Sequence, residues 1–488
     1  MPRLFWFIIC IVTAVVLLSI GQGQVESDTL WHIKAGEYML EHGILKTDPF
    51  SWTMRGEPWF AHEWLWDVLA ASVYRLGGST GVWLFNALWV GLFGLSVFLL
   101  LRSRCSLPRA ALLYAAVLCS SSVAWHARPH VMAQGLFALW MLVVLAAWRH
   151  PRLLYLLPVI EVVWANVHGS APLGPVILAG AWLLSGFEWR WGVLESLKPD
   201  HAVRRTLGIT AVLSFAASLV NPHGVLLWWY VVAASQHPLI KEFIAEWQSP
   251  NFHHIDFWPI ILFVLALFGF LLRGRKDRRL PVFETLLTGG FFVLCMQQMR
   301  HVPYFYFTAA LVLASLWGKE QPGDEAFPDR KTGVAAFLCG LLVLAAGYRF
   351  FPPTWMADRS GRSDFPIAAV DYLQDKGLGH SRLFNDYYWG GYLIWRNMSP
   401  FIDSRADMYA FNGDVFKEYF GFTLSNPQKR NSLGLKQNPG FYLDKYAVDA
   451  VLTHNGSSLD WYMEDRGGWR EVYRDDKAVI YVRKEARR

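Results

Sequence analysis

Between Asp28 and Trp64 the chain sets carboxylates and imidazoles close together. The segments read Asp28-Thr-Leu-Trp-His-Ile-Lys-Ala-Gly-Glu37, Lys46-Thr-Asp-Pro-Phe-Ser51 and Pro58-Trp-Phe-Ala-His-Glu-Trp64. A carboxylate beside a hydroxyl or amide can take its proton as a new bond forms, and an imidazole can share one. Further along, histidines, arginines and asparagines recur in short clusters: His126-Ala-Arg-Pro-His130, Asn166-Val-His-Gly169, Asn221-Pro-His-Gly224, His253-His-Ile-Asp256 and Arg300-His301. A guanidinium fork matches phosphate geometry. Clusters built of His, Arg, Asn and acids, rather than Ser and Gly, point to a chemical site. Each member has a plainer reading beside it. Asp28 suits a helix N-cap, Glu63 a first helical turn, and Arg128 and Arg300 a lipid headgroup. His126 and His130 are four apart, a metal-ligand spacing, but Pro129 disturbs it.

The elements that carry these residues are long apolar runs. Of 488 residues, 54% are hydrophobic and only 17% charged, below the share usual for a soluble domain. Runs of this kind read as spanning helices, about eleven of them. The expected spans are Leu4–Ile20, Gly81–Leu101, Ala110–Ala124, Val131–Trp148, Leu153–Asn166, Ala171–Phe187, Leu207–Val220, Phe257–Leu272, Val282–Met299, Val302–Trp317 and Gly333–Gly347. Val225–Ala234 is too short and is expected to be re-entrant or interfacial. The stretch after Pro2-Arg3 lacks a small-x-small cleavage site and reads as an uncleaved first helix. The 25 tryptophans suit two membrane interfaces.

The net charge of +6 does not read as a nucleic-acid surface, because the basic residues lie in short patches between apolar runs. Those patches set orientation. With Arg3 inside, the inside loops hold Arg102, Arg104 and Arg109, then Arg149 and Arg152, then Arg190, Lys198, Arg204 and Arg205. The next holds Arg273, Arg275, Lys276, Arg278 and Arg279, and the last Lys319, Arg330 and Lys331. All the polar clusters named above then fall outside, as does the C-terminal region. Glu161 lies within an expected span, where an ionisable group is costly and suggests function. A helix would put it on one face with Trp164 and His168.

The first outer loop, residues 21–80, is expected to hold two surface helices. One is capped by Ser27 or Asp28 and ends at Gly43. The other starts at His62 with an apolar stripe of Trp64, Leu65, Leu69, Val73 and Tyr74. Residues 351–488 have ordinary polarity and no cysteine, and read as a separate α/β domain. A helix is predicted over Pro366–Lys376, and strands over Arg382–Asn385, Tyr392–Trp395 and Ala450–Thr453. Glu471–Arg474 and Ala478–Val482 read as a hairpin. In Phe401–Tyr409, Asp403 and Arg405 suggest a buried pair that sets the fold; binding an acceptor or closing over the site is the alternative.

An acid shortly after the first span, a long first outer loop, many spans and an external C-terminal domain together resemble the GT-C superfamily. The Asp-x-x-Trp-His-x-x-x-Gly, Asp-Pro-Phe-Ser and Pro-Trp-x-x-His-Glu-Trp segments are similar to those of little-characterised bacterial members. The layout matches over the whole chain; the motifs cover about residues 28–64. The resemblance implies an α-helical polytopic membrane fold, with residues 1–350 as the transmembrane domain and 351–488 as an extracytoplasmic α/β domain. It implies a membrane glycosyltransferase that inverts, drawing on a polyprenyl-phosphate sugar and acting on a glycan, lipid or protein acceptor. Asp28 matches the superfamily's acid that serves as base or metal ligand, and Glu63 or Asp48 its helper. Arg128, His130, Arg300, His301, His32 and His62 are the expected phosphate and donor contacts, and Glu161, His168 and His223 the expected lining. A divalent cation (Mg or Mn), if used, would sit at Asp28 and Glu63, although no adjacent acid pair stands there. The resemblance places the protein in a bacterial inner membrane with the C-terminal domain periplasmic. A flippase of lipid-linked sugars and a non-catalytic envelope scaffold are the other readings; no internal repeat of the transporter kind is visible.

Overall fold

The computed structural model describes residues 2–22, 26–147, 150–196, 199–273, 279–318, 340, 364–464 and 466–484. The chain divides into two compact units. One holds Met1–Gly23, Leu76–Ser235 and Ala245–Thr354; the other holds Gln24–Arg75, Gln236–Ile244 and Trp355–Arg488.

The first unit is helical. Each of the first ten expected spans overlaps an α-helix, and Gly333–Gly347 lies outside the described residues apart from Gly340. Trp64–Arg104, Leu107–Ala124, Pro129–Ala146 and Ile255–Leu272 are long and apolar enough to cross a bilayer. The fifth expected span is instead a 3-10 turn, Pro151–Leu156, followed by an 11-residue helix, Leu157–Val167. Leu226–Gln236 is a helix of 11 residues, too short to span. At the centre lies Val302–Trp317, buried along nearly its whole length. Phe137 meets Tyr304, Phe291 and Phe307 edge-on there, with centroids 4.8, 5.5 and 5.3 Å away. Edge-on contacts of this kind add to area burial. Leu262, Leu265 and Phe268 of Trp258–Leu272 remain exposed, as lipid-facing positions should.

The second unit is α/β. Strand Leu383–Asn385 pairs parallel with Ala450–His454, which pairs antiparallel with Ala478–Arg483, and Trp469–Arg474 forms the edge. The predicted hairpin is present. Asp475 in its turn accepts from the Lys477 and Ala478 amides at 2.8 and 2.7 Å, a side chain mimicking a turn carbonyl. The helix Ile367–Asp375 is followed by Gly377 at φ +70°. Tyr392–Trp395, predicted as a strand, is the end of a helix, Gly390–Trp395. A short run buried on every side shows no periodicity, so pattern alone cannot separate the two states. The helix is wanted there because Gly391 lies against Ser27: a Cβ on Gly391 would come within 2.2 Å of the Ser27 carbonyl oxygen.

Residues 26–75 are woven into this unit. Ser27 Oγ accepts from the Gly391 amide at 3.0 Å. Trp52 donates through its amide to Pro400 O at 3.1 Å and through Nε1 to Leu383 O at 3.0 Å. Thr53 Oγ1 donates to Phe401 O, and Asn412 Nδ2 to Pro58 O. Arg405 lies at the centre. It binds Asp403 through Nε and Nη2 at 2.7 and 2.6 Å, and Asp48 through Nη1 at 2.7 Å. Its guanidinium lies 4.6 Å from the Trp59 ring centroid and 5.3 Å from that of Phe50. All three charged side chains are almost wholly excluded from solvent. The Asp403–Arg405 pair anticipated from sequence is thus present, and Asp48 completes it.

Removing one member of a buried, fully paired charge cluster costs about 3–5 kcal/mol, because a buried charge is left unpaired. Asp48→Ala is expected to lower the thermal unfolding midpoint of the purified protein, followed by tryptophan fluorescence, by an amount consistent with that loss. Glu41→Ala, which removes the exposed 3.2 Å pair with Arg75, should change stability by less than about 1 kcal/mol.

Candidate functional site

The helix Ser27–His42 ends at Gly43, φ +84°, as expected. Its N-cap position is Glu26, not Ser27 or Asp28, and no side chain caps it. Asp28 is a first-turn residue, where the helix dipole favours a carboxylate. It is 8% exposed, and Oδ1 lies 3.3 Å from Trp31 Nε1, which also donates to Ser404 Oγ. His32, one turn on, is buried between Trp31, stacked at 3.6 Å, and Trp66, edge-on at 5.1 Å. The second helix starts at Trp64 rather than His62 and continues to Arg104 across a kink at Gly78. Its buried side is Trp66, Asp67, Ala70 and Ala71, whereas the predicted stripe of Trp64, Leu65, Leu69, Val73 and Tyr74 is only half-buried. The stripe failed because small Ala70 and Ala71 supply the contact face.

These two helices bring the acids and imidazoles of the loop together. His32 Nδ1 lies 2.5 Å from Asp67 Oδ1, and Nε2 lies 3.8 Å from Glu63 Oε2. His62 Nε2 is 3.7 Å from Glu63 Oε1. Burial holds the His32 imidazole well below its ordinary range; the Asp407 carboxylate opposes this and the Arg405 guanidinium adds to it. With Nδ1 committed to Asp67, Nε2 is the nitrogen turned toward Glu63. Glu63 is the more open acid, its side chain 19% exposed. The approach of the helices requires Gly36, the last residue of the Asp-x-x-Trp-His-x-x-x-Gly segment. A Cβ there would lie 2.0 Å from the Asp67 carbonyl oxygen.

Asp48 is engaged elsewhere. Its Oδ1 accepts from the Phe50 amide and Arg405, and its Oδ2 from the Ser51 amide and hydroxyl. A carboxylate has about four acceptor positions, so none is left to take a proton. The structure makes Asp48 a partner of Arg405, not a helper of Asp28.

In the helical unit, the expected phosphate contacts gather around a 3-10 turn, Ala245–Trp247. Arg128 forms an ion pair with Glu246. The Arg300 guanidinium lies over Trp247, 4.3 Å from the ring centroid. The Met299 amide donates to Gln248 O at 2.9 Å and fixes the two turns together. Burial would raise the Glu246 carboxyl, but Arg128, Arg300 and His130 outweigh it and bring it down to about 2. His130 donates from Nε2 to Ala124 O at 2.6 Å. Burial, with Arg300 adding, brings the His301 imidazole down to about 4.

Three expected lining residues do not join this cluster. His168 stands at the C-cap of Leu157–Val167, and its Nδ1 meets the Ser170 hydroxyl and amide at 2.8 and 3.0 Å. It does not pair with Glu161. Neither Glu161 oxygen has a hydrogen-bond partner among the described residues, and Gly174 packs directly against Oε2. His223 sits in a turn closed by the Asn221 side chain, which accepts from the His223 amide at 2.8 Å. Among the described residues no group of three or more His, Cys, Asp or Glu is arranged to hold a metal ion.

Solved structures share this fold. The archaeal oligosaccharyltransferase AglB from Archaeoglobus fulgidus, in complex with an inhibitory peptide and a dolichol-phosphate, matches at a TM-score of 0.56 and 12% identity, over 98% of this chain and 74% of its own. ArnT from Cupriavidus metallidurans, bound to undecaprenyl phosphate, matches at 0.55 and 14% identity, over 99% of this chain and 98% of its own. The fold is GT-C. No family model matches the sequence, and no curated protein does.

Within the GT-C fold three residues stand out that sequence reasoning did not select. Asp67 lies in a helix where an acid reads as a solvated first-turn residue; its signal was its place beside Trp66 on a buried face. Asp407 acts on His32 from far along the chain, which no local pattern reveals. Glu246 is an acid beside a tryptophan in a short 3-10 turn.

Gly36→Ala should force the two loop helices apart. Overpacking of this kind costs about 1–3 kcal/mol. The expected outcome is a lowered unfolding midpoint together with loss of turnover, since Asp67 and Glu63 are displaced from His32. A Gly36→Ala protein with wild-type stability would show that the close approach is not required.

Proposed function

We propose that the protein is an integral membrane glycosyltransferase that moves a sugar from a polyprenyl-phosphate donor to an acceptor on the outer face of the membrane, with inversion. The observation that carries this reading is the acid–imidazole cluster of His32, Glu63 and Asp67, with Asp28 one helical turn before His32, on the first loop of a GT-C fold. Two proteins of that fold, ArnT and AglB, have been solved with a polyprenyl phosphate and a dolichol-phosphate bound.

In the reaction the acceptor oxygen or nitrogen bonds to the anomeric carbon while the bond from that carbon to the phosphate oxygen breaks. The acceptor proton passes to a carboxylate, Asp28 or Glu63, and the lipid phosphate leaves with the bonding electrons. Glu63 is favoured by its exposure. His32, tied to Asp67 through Nδ1, turns Nε2 toward Glu63 at 3.8 Å. Arg128 and Arg300 are assigned the phosphate, whose growing charge they offset. Asp48 is assigned to the fold. Basic inside loops support an orientation with the N-terminus cytoplasmic and residues 351–488 outside, as in a bacterial inner membrane.

Purified protein with a panel of polyprenyl-phosphate sugars should release lipid phosphate. Loss of a general base typically costs about 10²–10⁴-fold in rate. Because Asp28 makes no cap, Asp28→Asn should leave expression and stability close to wild type. If Asp28 is the base, Asp28→Asn loses turnover and still binds donor; if Glu63 is, Glu63→Gln does. Wild-type turnover in both variants would overturn the site.

A further inference from the structure

The anion site in the helical unit already contains an anion. Arg128 is paired with Glu246, and Arg300 stacks on Trp247, the residue next to it. The pair is not sealed away, since the Glu246 side chain is 37% exposed. His130 donates Nε2–H to the Ala124 carbonyl, and the Arg128 guanidinium beside it favours the neutral ring. Two guanidiniums and one carboxylate leave the cluster with a net charge of plus one.

We propose that Glu246 sets the charge specificity of the phosphate site, matching it to a lipid phosphodiester and turning away the lipid monoester. This rests on the reading that Arg128 and Arg300 hold the lipid phosphate. A polyprenyl-phosphate sugar is a phosphodiester with a single negative charge. After transfer, the lipid leaves as a monoester, whose second ionisation lies near pH 6, so that it carries about −1.5 to −2 at pH 7. A net charge of plus one balances the donor and not the product. The extra negative charge of the product meets the Glu246 carboxylate and is repelled. Glu246 thereby weakens product binding more than donor binding and speeds release. Its contact with Arg128 also keeps that guanidinium paired between turnovers.

The test compares undecaprenyl phosphate with its methyl ester, a simple diester, binding to the full chain in nanodiscs at pH 7.5. One charge at contact range in a partly solvated site is worth roughly tenfold in affinity. Glu246→Gln should tighten the monoester about tenfold and the diester by clearly less. Glu246→Asp, which keeps the charge, should preserve the wild-type preference. Equal tightening of both ligands, or weaker binding of both, would overturn the proposal and leave Glu246 as a support for Arg128. The underlying reading is tested separately by Arg128→Gln, which should weaken both ligands. If Arg128→Gln changes neither, the phosphate is held elsewhere and both statements fall. Unfolding midpoints measured alongside show that each variant is folded.

Discussion

The second unit depends on a cation buried where no water reaches it. Arg405 must be neutralised, and the molecule does this with two carboxylates from distant parts of the chain. Aromatic rings cover the guanidinium and exclude solvent, which strengthens each contact and makes each one necessary. Once Asp48 is fixed, the amides of Phe50 and Ser51 are fixed with it. From that anchor Trp52 and Thr53 reach the carbonyls of the C-terminal segment. Tyr409 also donates to Asp403, so the next helix, Ala406–Phe411, takes its position from the same pair. Asp407 is on that helix, and its charge is felt at His32. The acid–imidazole cluster therefore inherits its electrostatics from a network whose own members have no spare acceptor.

The two clusters illustrate opposite uses of burial. His32 is held uncharged by desolvation, which leaves Nε2 as a directional group facing Glu63. Glu246 is held charged by the Arg128 and Arg300 guanidiniums although it is partly withdrawn from solvent. The first arrangement suits handling a proton, because the imidazole faces an acid without a fixed charge of its own. The second suits holding charge, because the carboxylate stays ionised across the whole physiological range.

The sequence disclosed what depends on neighbours in the chain. Apolar runs located the helices, Gly43 ended one of them where expected, and Glu471–Arg474 with Ala478–Val482 form the hairpin read from their pattern. Asp28, His32, His62 and Glu63 were drawn from a single loop because their types and spacing were unusual there. What could not be read was what distance along the chain conceals. Asp48 looked like a catalytic helper until Arg405 was found filling its lone pairs. Glu161 and His168 share a helical spacing, but the helix stops before His168 and the imidazole turns to Ser170. Tyr392–Trp395 carried strand-like residues, and only its contact with Ser27 explains the helix. Gly36 showed only as the last residue of a motif, and the reason for it is a carbonyl on another helix.

The link between Asp48 and Arg405 spans 357 residues of sequence. A chain emerging from a ribosome at about 5–20 residues per second delivers the second partner roughly 20–70 seconds after the first. During that interval Asp48, Trp52 and Trp59 have been made and the surfaces they complete have not. This early segment of the unit thus waits with its aromatic residues uncovered. The nascent chain covers residues 48–64 only when its final quarter arrives.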